Sequence, residues 1–417
     1  MKIIIILNWL ISIVFALCYF YQIIYVFVGL FKKPKRFETD KKHRFAIMIS
    51  ARNEEAVIGN LIDSIKKQNY PEELIDIFVA ADNCTDSTAA VAEQKGAYAY
   101  ERFNNKYVGK GYALDWLIRR IKEDHGDKNY DAYIVFDADN IVSPDFVNEM
   151  NKVYSSGYEV VTSYRNSKNY AQNWITAGYS LWFLREAKFL NNSRMCIGTS
   201  SAISGTGFLV SCALIEKNGG WIHHLLTEDI EFTTDCIING IKIGYAEKAV
   251  LYDEQPSTMY QSYLQRLRWS KGFYQVFMKY GKRLIQGVFK GSFACYDMLM
   301  TLMPAMLLTL LCVVLNVGAI AYGILLDHEG ISILFNNLAG TFISFYLVFA
   351  FFGVVTTITE WERIYCKNYK KILYIFTFPL FMFTYVPISI IALFKKVSWK
   401  PIEHSISTDV DDVMNKV

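Results

Sequence analysis

The segment Tyr133-Ile-Val-Phe-Asp-Ala-Asp139 joins four largely apolar, strand-forming residues to two carboxylates that lie one residue apart. A short apolar run of this kind favours a buried β-strand. Carboxylates at its end reach the open edge of a sheet, where a hard divalent cation takes oxygen ligands from protein and phosphate. Asp137 and Asp139 are therefore the predicted metal ligands, for Mg²⁺ or Mn²⁺. Two aspartates around an alanine also occur in ordinary turns, so the pattern gains weight only from its neighbours.

Strand and helix signals alternate upstream of this segment. The predicted strands are Phe45–Ile49, Ile75–Ala80, Ala97–Tyr100 and Tyr133–Phe136, and the predicted helices are Glu54–Gln68, Asp86–Gln94 and Lys110–Lys122. Residues 44–272 are accordingly expected to form an α/β domain in which helices cover a mostly parallel sheet. Ligands bind beyond the carboxyl ends of strands in such sheets, so Ser50–Glu55, Ala81–Asp86 and Asp137–Asn140 should meet at one crevice.

The composition is unusually apolar for a soluble protein, with 53% hydrophobic and 16% aromatic residues. A net charge of +3 provides no general basic field, so no nucleic acid partner is expected. The eight cysteines include no Cys-x-x-Cys pair. This spacing argues against a structural zinc site and against a disulfide framework.

Four uncharged stretches are long enough to cross a bilayer, which takes roughly 20 apolar residues. They are Ile3–Phe31, Met298–Leu326, Ile331–Thr359 and Ile372–Phe394. The first is too long for a signal peptide and lacks a small-residue cleavage site, so residues 1–31 are predicted to be an uncleaved anchor. Basic residues between Lys32 and Arg44 place the following domain in the cytoplasm by the positive-inside rule. The chain is thus predicted to be a multi-pass cell-membrane protein.

The sequence does not decide the path of the C-terminal membrane region, residues 298–394, through the bilayer. Basic segments flank Ile372–Phe394 on both sides, so both flanks cannot be cytoplasmic if this segment crosses fully. Pro379 and Pro387 lie inside it and are compatible with a bent or re-entrant path. Residues 395–417 form the predicted C-terminal tail.

Phe273–Ala294 is predicted to be a separate amphipathic helix, residues 273–294. Its apolar residues share one helical face, and most of its basic residues lie elsewhere. Because it precedes a membrane segment, it is expected to lie on the cytoplasmic leaflet. An ordinary amphipathic surface helix has the same pattern.

Two further strand-end motifs are candidates for nucleotide binding. Asp82 lies near the end of the second strand and could accept a hydrogen bond from a uracil imide N–H. Asp86 is better explained as a turn residue that begins a helix. Lys110 stands between two glycines at a predicted helix start, which suits phosphate or base oxygens.

The candidates for catalysis lie downstream. Thr227-Glu228-Asp229 begins a predicted helix, where carboxylates are favoured for structural reasons alone. The functional alternative makes Asp229 the general base for an acceptor hydroxyl, with Glu228 beside it. Ser204–Phe208 is a small-residue loop that is either a plain turn or a space for an acceptor sugar beside Phe208.

Gln265-Arg-Leu-Arg-Trp269 is predicted to be helical, which places Gln265, Arg268 and Trp269 on one face. An arginine on that face can bind a diphosphate oxygen, and the tryptophan ring can stack on a sugar. A basic, aromatic helix beside a membrane gives the same pattern without a binding role.

The motifs occur in the order Asp82, Asp137-Ala-Asp139, Thr227-Glu228-Asp229 and Gln265-x-x-Arg268-Trp269. In this order, and between uncharged segments, the chain resembles the membrane-integrated family-2 glycosyltransferases, which include cellulose, chitin, hyaluronan and poly-N-acetylglucosamine synthases. The specific motifs cover residues 45–275. The resemblance implies a GT-A fold, a UDP-sugar donor, Mg²⁺ or Mn²⁺, inversion at the anomeric carbon and a β-linked product.

The resemblance also implies a role for each matching residue. The residues that it assigns to the nucleotide are Asp82, Lys110, Asp137 and Arg268. It assigns the metal to Asp137 and Asp139, and the base to Asp229. The residues that it assigns to the acceptor side are Gly205, Thr206, Gly207, Phe208, Gln265 and Trp269. Trp399–His404 resembles a tryptophan-containing C-terminal segment that approaches the active site in some synthases.

Three functions are compatible with these residues. The leading hypothesis is a processive synthase that extends a β-linked polysaccharide and exports it, with an accessory export subunit as a possible partner. The alternative is a single transfer from the UDP-sugar to a membrane lipid such as diacylglycerol, ceramide or polyprenyl phosphate. A non-catalytic membrane protein with a degenerate nucleotide fold is the third, and the intact aspartates argue against it.

Overall fold

A computed structural model of the chain describes residues 2–326, 331–399, 404 and 406–415. Within this part of the chain, one sheet contains β1 (Phe45–Ala51), β2 (Ile75–Asp82), β3 (Tyr98–Arg102), β4 (Ala132–Asp137), β5 (Ile141–Val142), β6 (Val160–Ser167), β7 (Phe208–Ser211) and β8 (Ile243–Asp253). Their order across the sheet is β3-β2-β1-β4-β7-β6-β8-β5. Apolar runs at the predicted positions thus form the strands that end at the predicted crevice.

Helices connect these strands and flank them. Those of the sheet domain are α2 (Ile58–Lys66), α3 (Thr88–Gln94), α4 (Lys110–His125), α5 (Phe146–Ser155), α6 (Trp174–Arg185), α7 (Asn192–Ile197), α8 (Cys212–Lys217) and α9 (Glu228–Ile238). The remaining helices are α1 (Lys2–Phe31), α10 (Met259–Phe289), α11 (Phe293–Leu302), α12 (Pro304–Leu326), α13 (Ile331–Thr359), α14 (Asn368–Phe383), α15 (Tyr385–Phe394) and α16 (Val410–Met414).

The first half of the sheet is parallel, as predicted. β1 pairs in parallel with β2 and with β4, and β3 pairs in parallel with β2. The second half is mixed, because β7 runs antiparallel between β4 and β6, and β5 runs antiparallel to β8. Ser50, Asp82 and Asp137 therefore lie at one edge of the sheet, which is where a parallel α/β sheet holds its ligands.

Both faces of the sheet are buried, which explains why β1 is an uninterrupted apolar run. Phe45, Ile47 and Ile49 belong to the core on one face, and Ala46 and Met48 belong to the core on the other. Successive side chains of a strand point to opposite faces, so a continuous apolar sequence supplies both cores at once.

Three helical segments among the described residues are long and apolar enough to cross a membrane, judged by length and composition. They are Ile6–Phe31, Leu338–Thr359 and Asn368–Phe394. The predicted stretch Met298–Leu326 is not one helix, since α11 ends at Leu302 and α12 begins at Pro304. A proline has no backbone N–H and suits the first turn of a new helix, which accounts for this break.

The predicted Ile372–Phe394 segment is helical but interrupted. α14 ends at Phe383 and α15 begins at Tyr385. α14 packs against α6 of the sheet domain, where a side chain on Gly178 would meet Phe381 at 2.4 Å. The sheet domain and the apolar helix α14 are therefore packed together.

The expected separate helix Phe273–Ala294 is wrong in its bounds. α10 begins at Met259, includes the Gln-x-x-Arg-Trp motif and ends at Phe289. Val276, Tyr280 and Leu284 of the predicted apolar face are buried and form a core with residues of α9 and α11. This part of the face packs on protein because α11 folds back along α10.

A buried charge pair joins the anchor helix to the sheet domain. Arg194 donates to both oxygens of Asp297 at 2.7 and 2.9 Å. Tyr21 and Tyr25 of α1 donate to the same carboxylate at 3.0 and 2.6 Å. Since α1, α7 and α11 meet at this one group, the position of α1 relative to the sheet is fixed by directional bonds.

Candidate active site

A cavity of about 1160 Å³ extends from the carboxyl ends of β1, β2 and β4 to the membrane helices. The predicted site residues that line it are Asp82, Lys110, Asp137, Asp139, Gly205, Glu228, Asp229, Gln265, Arg268 and Trp269. The prediction that the strand ends meet at one crevice is therefore confirmed. Residues that are more than 90 positions apart, such as Asp137 and Asp229, share this space.

The paired aspartates occupy different surroundings. Asp137 ends β4, and its Oδ1 accepts from the Lys110 ammonium at 2.5 Å. Asp139 is buried, accepts from the backbone N–H of Glu254 at 2.9 Å and lies 4.0 Å from the His404 ring. Burial acts to raise the pKa of Asp139, but the charges of His404 and Lys168 outweigh it and lower that pKa. Asp139 therefore stays ionised.

The donor set at this end of the cavity suits a hard cation that is shared with a diphosphate. Carboxylate oxygens are the ligands that Mg²⁺ and Mn²⁺ prefer. No group of three or more His, Cys, Asp or Glu side chains in the described residues is arranged to hold a metal on its own. Asp137 and Asp139 therefore fit a cation that takes its other ligands from phosphate oxygens and water, as Mg²⁺ commonly does.

The candidate base lies next to the loop before β7. Asp229 is in the first turn of α9, and a side chain on Gly205 would lie 3.9 Å from its Oδ2. Burial raises the pKa of Asp229, while Lys110 and Arg268 act to lower it. Burial, and then the charge of Asp229, raise the pKa of Glu228. Two carboxyl groups with raised pKa values in one cavity have the properties that a general base needs.

Lys110 connects the metal end to the base end. Besides its contact with Asp137, its ammonium donates to the backbone oxygen of Gly205 at 2.7 Å. Gly205 has φ +82, a conformation that favours glycine, so the loop can turn its carbonyl toward the lysine. Lys110 therefore fixes the position of this loop in addition to its predicted contact with the nucleotide.

The helix α10 presents its motif as predicted. Gln265, Arg268 and Trp269 line the cavity, and the Trp269 ring packs edge-on against Tyr179 and Phe183 at 5.8 and 6.2 Å. Those contacts hold the indole in one orientation. The Gln265 Oε1 atom is buried and has no hydrogen-bond partner among the described residues.

Arg266, between these residues, faces the other way. It is fully buried and donates to Ser262 O, Phe381 O and Thr384 Oγ1, and its guanidinium lies 4.7 Å from the Phe381 ring. It thereby attaches α10 to the break between α14 and α15. The predicted motif thus combines a cavity face with a structural arginine.

The prediction that the loop residues 205–208 contact the acceptor is wrong for three of the four. Phe208 is 1% exposed and packs against Trp221 and Phe232 in the core, so it does not line the cavity. Thr206 donates to Asn140 Oδ1 at 2.5 Å and accepts from the Asp137 N–H at 2.9 Å. Gly207 is needed for space, because a side chain there would lie 1.9 Å from Leu251. These three residues support the loop, and Gly205 alone of the four reaches the cavity.

Asp82 also has a partner that the sequence did not indicate. Its carboxylate forms a buried ion pair with Arg102, the last residue of β3. Burial raises the pKa of Asp82, and Arg102 acts to lower it. Asp82 still lines the cavity at the strand edge, whereas Arg102 is buried behind it and does not line the cavity.

Arg165 and Asp253 complete the charged wall and were not predicted. The Arg165 side chain donates to Asp253 Oδ2 at 2.7 Å and to Ser204 O at 2.8 Å. Its guanidinium lies 3.7 Å from the Phe183 ring. Asp253 follows the apolar run of β8 in the way that Asp137 follows β4, and that pattern would have identified it.

The C-terminal tail returns to the same place. His404 Nδ1 lies 2.9 Å from Glu54 Oε1, and the Trp399 ring packs 5.4 Å from the Arg52 guanidinium. Burial raises the pKa of Glu54 to about 7. Val413 of α16 packs against Ile141 and Tyr252 at the sheet edge. The expectation that this tail approaches the active site is confirmed for the described residues 399 and 404.

Comparison with known proteins supports the reading of the motifs. The profile of Glycosyltransferase like family 2 matches residues 43–272. Beta-monoglucosyldiacylglycerol synthase of Synechocystis sp. is 27% identical over 240 residues, which are 56% of this chain and 48% of that protein. Poly-beta-1,6-N-acetyl-D-glucosamine synthase of Staphylococcus aureus is 23% identical over 267 residues, which are 63% of this chain and 62% of that protein. This chain therefore spans about half to three fifths of the length of these curated relatives.

The fold has a solved counterpart that covers most of the chain. Mannosyltransferase PcManGT from Pyrobaculum calidifontis, solved with GDP-Man and Mn²⁺, has a TM-score of 0.60 at 15% identity and covers 93% of this chain and 99% of its own. Its bound Mn²⁺ agrees with the predicted Mg²⁺ or Mn²⁺. The expected GT-A-like fold is confirmed, and so is the resemblance at the level of the family. Because the matched region takes in both the paired aspartates and the Gln-x-x-Arg-Trp helix, the chain belongs to glycosyltransferase family 2 and is a sugar-transferring enzyme.

Proposed function

We propose that this chain transfers a sugar from a UDP-sugar to a membrane lipid. The observation that carries the proposal is the single cavity of about 1160 Å³ that joins Asp137, Asp139 and Asp229 to the membrane helices. An acceptor bound in its membrane part can reach the base without leaving the protein.

The sheet end of the cavity would hold the donor. Asp82, held by Arg102, would face the nucleotide base, and Lys110 and Arg268 would contact the diphosphate. Asp137 and Asp139 would hold Mg²⁺ or Mn²⁺, which when bound neutralises the diphosphate as a Lewis acid. The rigid hydrogen bonds of Asp137 to Lys110 and Thr206 keep this end in place before the donor arrives.

Asp229 would act as the base in a direct displacement. The acceptor oxygen attacks the anomeric carbon, the bond from that carbon to the UDP oxygen breaks, and UDP leaves with the electron pair. The acceptor proton passes to the Asp229 carboxylate. One displacement inverts the anomeric carbon, which gives a β-linked product from an α-linked donor.

The lining of the membrane part favours a lipid over a sugar chain. Most side chains that line this part are apolar, including Phe345, Val348, Phe349 and Met382. A minority are polar, including Asn8, Ser12, Asn336, Thr341 and Ser344. Acyl chains match such a surface, whereas the hydroxyls of a polysaccharide would lose their hydrogen bonds to water without replacement. Beta-monoglucosyldiacylglycerol synthase, one of the relatives, is named for a lipid product, which supports the same choice.

Processive extension of a β-linked polysaccharide is the second candidate. The cavity follows α1 from Gln22 back to Asn8, so it runs along a large part of this membrane helix. A growing chain could use that length for export, with an accessory subunit as a partner. A relative that is named as a polysaccharide synthase supports this candidate.

We place the catalytic domain in the cytoplasm and the chain in the cell membrane with several crossings. Lys32, Lys33, Lys35 and Arg36 follow directly on α1, and basic residues mark the cytoplasmic flank. UDP-sugars are cytoplasmic, so this orientation supplies the donor to the sheet end.

Product analysis separates the two candidates. The full chain is reconstituted in vesicles of defined lipids, supplied with Mg²⁺ or Mn²⁺ and a panel of radiolabelled UDP-sugars, and its products are sized. A labelled lipid that stops at one or two sugars supports the proposal. A polymer whose length grows with time would replace it with the second candidate, and the absence of transfer from every UDP-sugar would contradict the donor.

A further inference from the structure

Arg185 differs from the other buried arginines of this protein. Arg185 is 5% exposed and lines the cavity at the end of α6. Among the described residues, no carboxylate oxygen lies within 4.0 Å of its guanidinium nitrogens. A buried cation that contacts no carboxylate is costly, so its presence beside a cavity needs a reason.

The other buried arginines are satisfied within the protein. Arg102 and Arg194 are paired with Asp82 and Asp297. Arg266 has no carboxylate partner but donates to three neutral oxygens. These three need no ligand.

Arg185 has one hydrogen bond for its five N–H donors. One terminal nitrogen donates to Gln22 Oε1 of α1 at 2.6 Å. Its guanidinium also lies 4.6 Å from the Phe352 ring of α13 and 5.3 Å from the Trp182 ring. Its other nitrogens form no hydrogen bond with a described residue. They are not fully buried, so they keep some accessible surface. They are therefore available to a ligand.

Arg185 also remains charged. Burial lowers its pKa to about 10, while the neighbouring Glu186 carboxyl acts to raise it and the charge of Arg194 acts to lower it. A group with that pKa is still protonated at neutral pH. The contacts with Gln22 of α1 and Phe352 of α13 place it where the sheet domain meets two membrane-spanning segments.

The helix changes its winding directly after Arg185. Residues Glu186–Asn191 form a π-helical turn, and such turns often occur at functional sites. Glu186 accepts from Ser204 Oγ at 3.3 Å on the side of the catalytic loop. Adjacent residues therefore serve the two parts of the cavity: Glu186 the catalytic loop, and Arg185 the membrane side.

We infer that Arg185, assisted by Gln22, binds the phosphate group of an anionic membrane lipid whose acyl chains occupy the apolar part of the cavity. The inference rests on the proposed function, since it names the chemical class of the lipid that the cavity takes. Phosphate oxygens match the planar N–H array of a guanidinium and supply the missing negative charge. The bound lipid would thus carry a phosphate, unlike a neutral diacylglycerol.

The test measures binding without catalysis. The full chain in a neutral sugar detergent is titrated calorimetrically with dihexanoyl phosphatidate, with dihexanoylglycerol and with inorganic phosphate. We expect phosphatidate to bind roughly 10- to 100-fold more tightly than dihexanoylglycerol, as for hydrogen bonds to a charged group. Inorganic phosphate, which lacks acyl chains, should bind more weakly than phosphatidate.

Variants assign the difference to Arg185. R185Q should remove the preference for phosphatidate, and R185K should keep part of it. R119Q, which removes an exposed arginine of α4, should leave the preference unchanged. If R185Q does not fold, the comparison of the two lipids on the unmodified chain and on R185K still decides.

Equal affinity for the two lipids would overturn the inference, as would equal affinity for inorganic phosphate and phosphatidate, or an unchanged preference in R185Q. Failure of the proposed function has a different signature, because a polymer product would contradict lipid glycosylation while leaving the binding preference intact.

Discussion

The two ends of the cavity are built in opposite ways. At the sheet end, opposite charges face one another, as in the pairs of Asp137 with Lys110 and Asp253 with Arg165. At the membrane end, rings and aliphatic chains such as Phe345 and Met382 line most of the wall. A charge network holds a polar donor in one orientation, whereas an apolar wall adapts to a flexible chain. The comparison indicates that chemistry and acceptor entry are the work of separate parts of one cavity.

The largest effect is expected at the sheet end. Asp229→Asn keeps the shape of the side chain but removes the base, so turnover should fall by about 10²–10⁴-fold, the usual contribution of one positioned base. The melting temperature at neutral pH should stay equal or rise, because burial raises the pKa of Asp229 and an ionised carboxylate there destabilises the fold. Turnover in vesicles and thermal unfolding check the two expectations.

Asp127→Asn is the matched control, since Asp127 is exposed and outside the cavity. It should change neither quantity. Unchanged turnover in Asp229→Asn would show that another group takes the proton.

The next largest effect is expected at the buried Arg194–Asp297 pair, which links the sheet domain to the apolar helices. Arg194→Met leaves Asp297 buried without its cation, and breaking a buried pair in this way costs about 3–5 kcal/mol. Thermal unfolding in detergent should show the loss. The double variant with Asp297→Leu should recover much of it, because both charges are then absent. A single variant as stable as the unmodified chain would mean that the tyrosines of α1 hold the joint without the arginine.

A smaller effect is expected from filling the membrane end. Gly340 of α13 lines the cavity, and a side chain there meets nothing within 4 Å. Gly340→Leu should lower transfer to the lipid about tenfold, the usual scale for added groups in a hydrophobic pocket. Slow hydrolysis of the UDP-sugar by water should not change, because the sheet end is untouched.

Gly318→Leu provides the control for this substitution. Gly318 is also in an apolar helix with nothing within 4 Å, but it does not line the cavity. Equal losses in both variants would point to a general effect on the membrane helices and would contradict a separate acceptor end.

The smallest effect concerns pH. Because burial raises the pKa of Asp229, the base gains its proton at a higher pH than an exposed aspartate would. The rate of transfer should therefore be highest at high pH and should fall as the pH drops through the raised pKa of Asp229. Arg268→Gln removes a positive charge that acts to lower the pKa of Asp229, so the acid limb of the pH profile should move to higher pH. An acid limb that does not move would argue against Asp229 as the group that titrates.

Much of the sheet end could be predicted because its signals are local. The apolar runs before Asp82 and Asp137 form strands, and the parallel order of such strands brings their ends together. The partners of the motif residues could not be predicted. Arg102 and Arg165 are polar residues at strand positions, and their pairing with Asp82 and Asp253 depends on which strands become neighbours.

The membrane end was predictable in outline only. Length and hydropathy identify apolar helices, but they do not reveal the break before Pro304 or the packing of Val276 and Leu284 on α11. The small residues of its loop predict a position for Phe208 beside the acceptor. Its alternation along β7 directs it into the core instead. The direction in which a side chain of a helix or strand points is set by tertiary contacts, which a single sequence motif does not reveal.

Photo-crosslinking of a lipid to the intact chain in vesicles tests the central claim most directly. The account predicts that a photoactivatable lipid labels cavity-lining residues of α13 such as Ser344 and Phe345, and that Gly340→Leu removes this label. Label confined to Leu347 and Phe351, which are exposed on α13 but do not line the cavity, would contradict entry of a lipid acceptor.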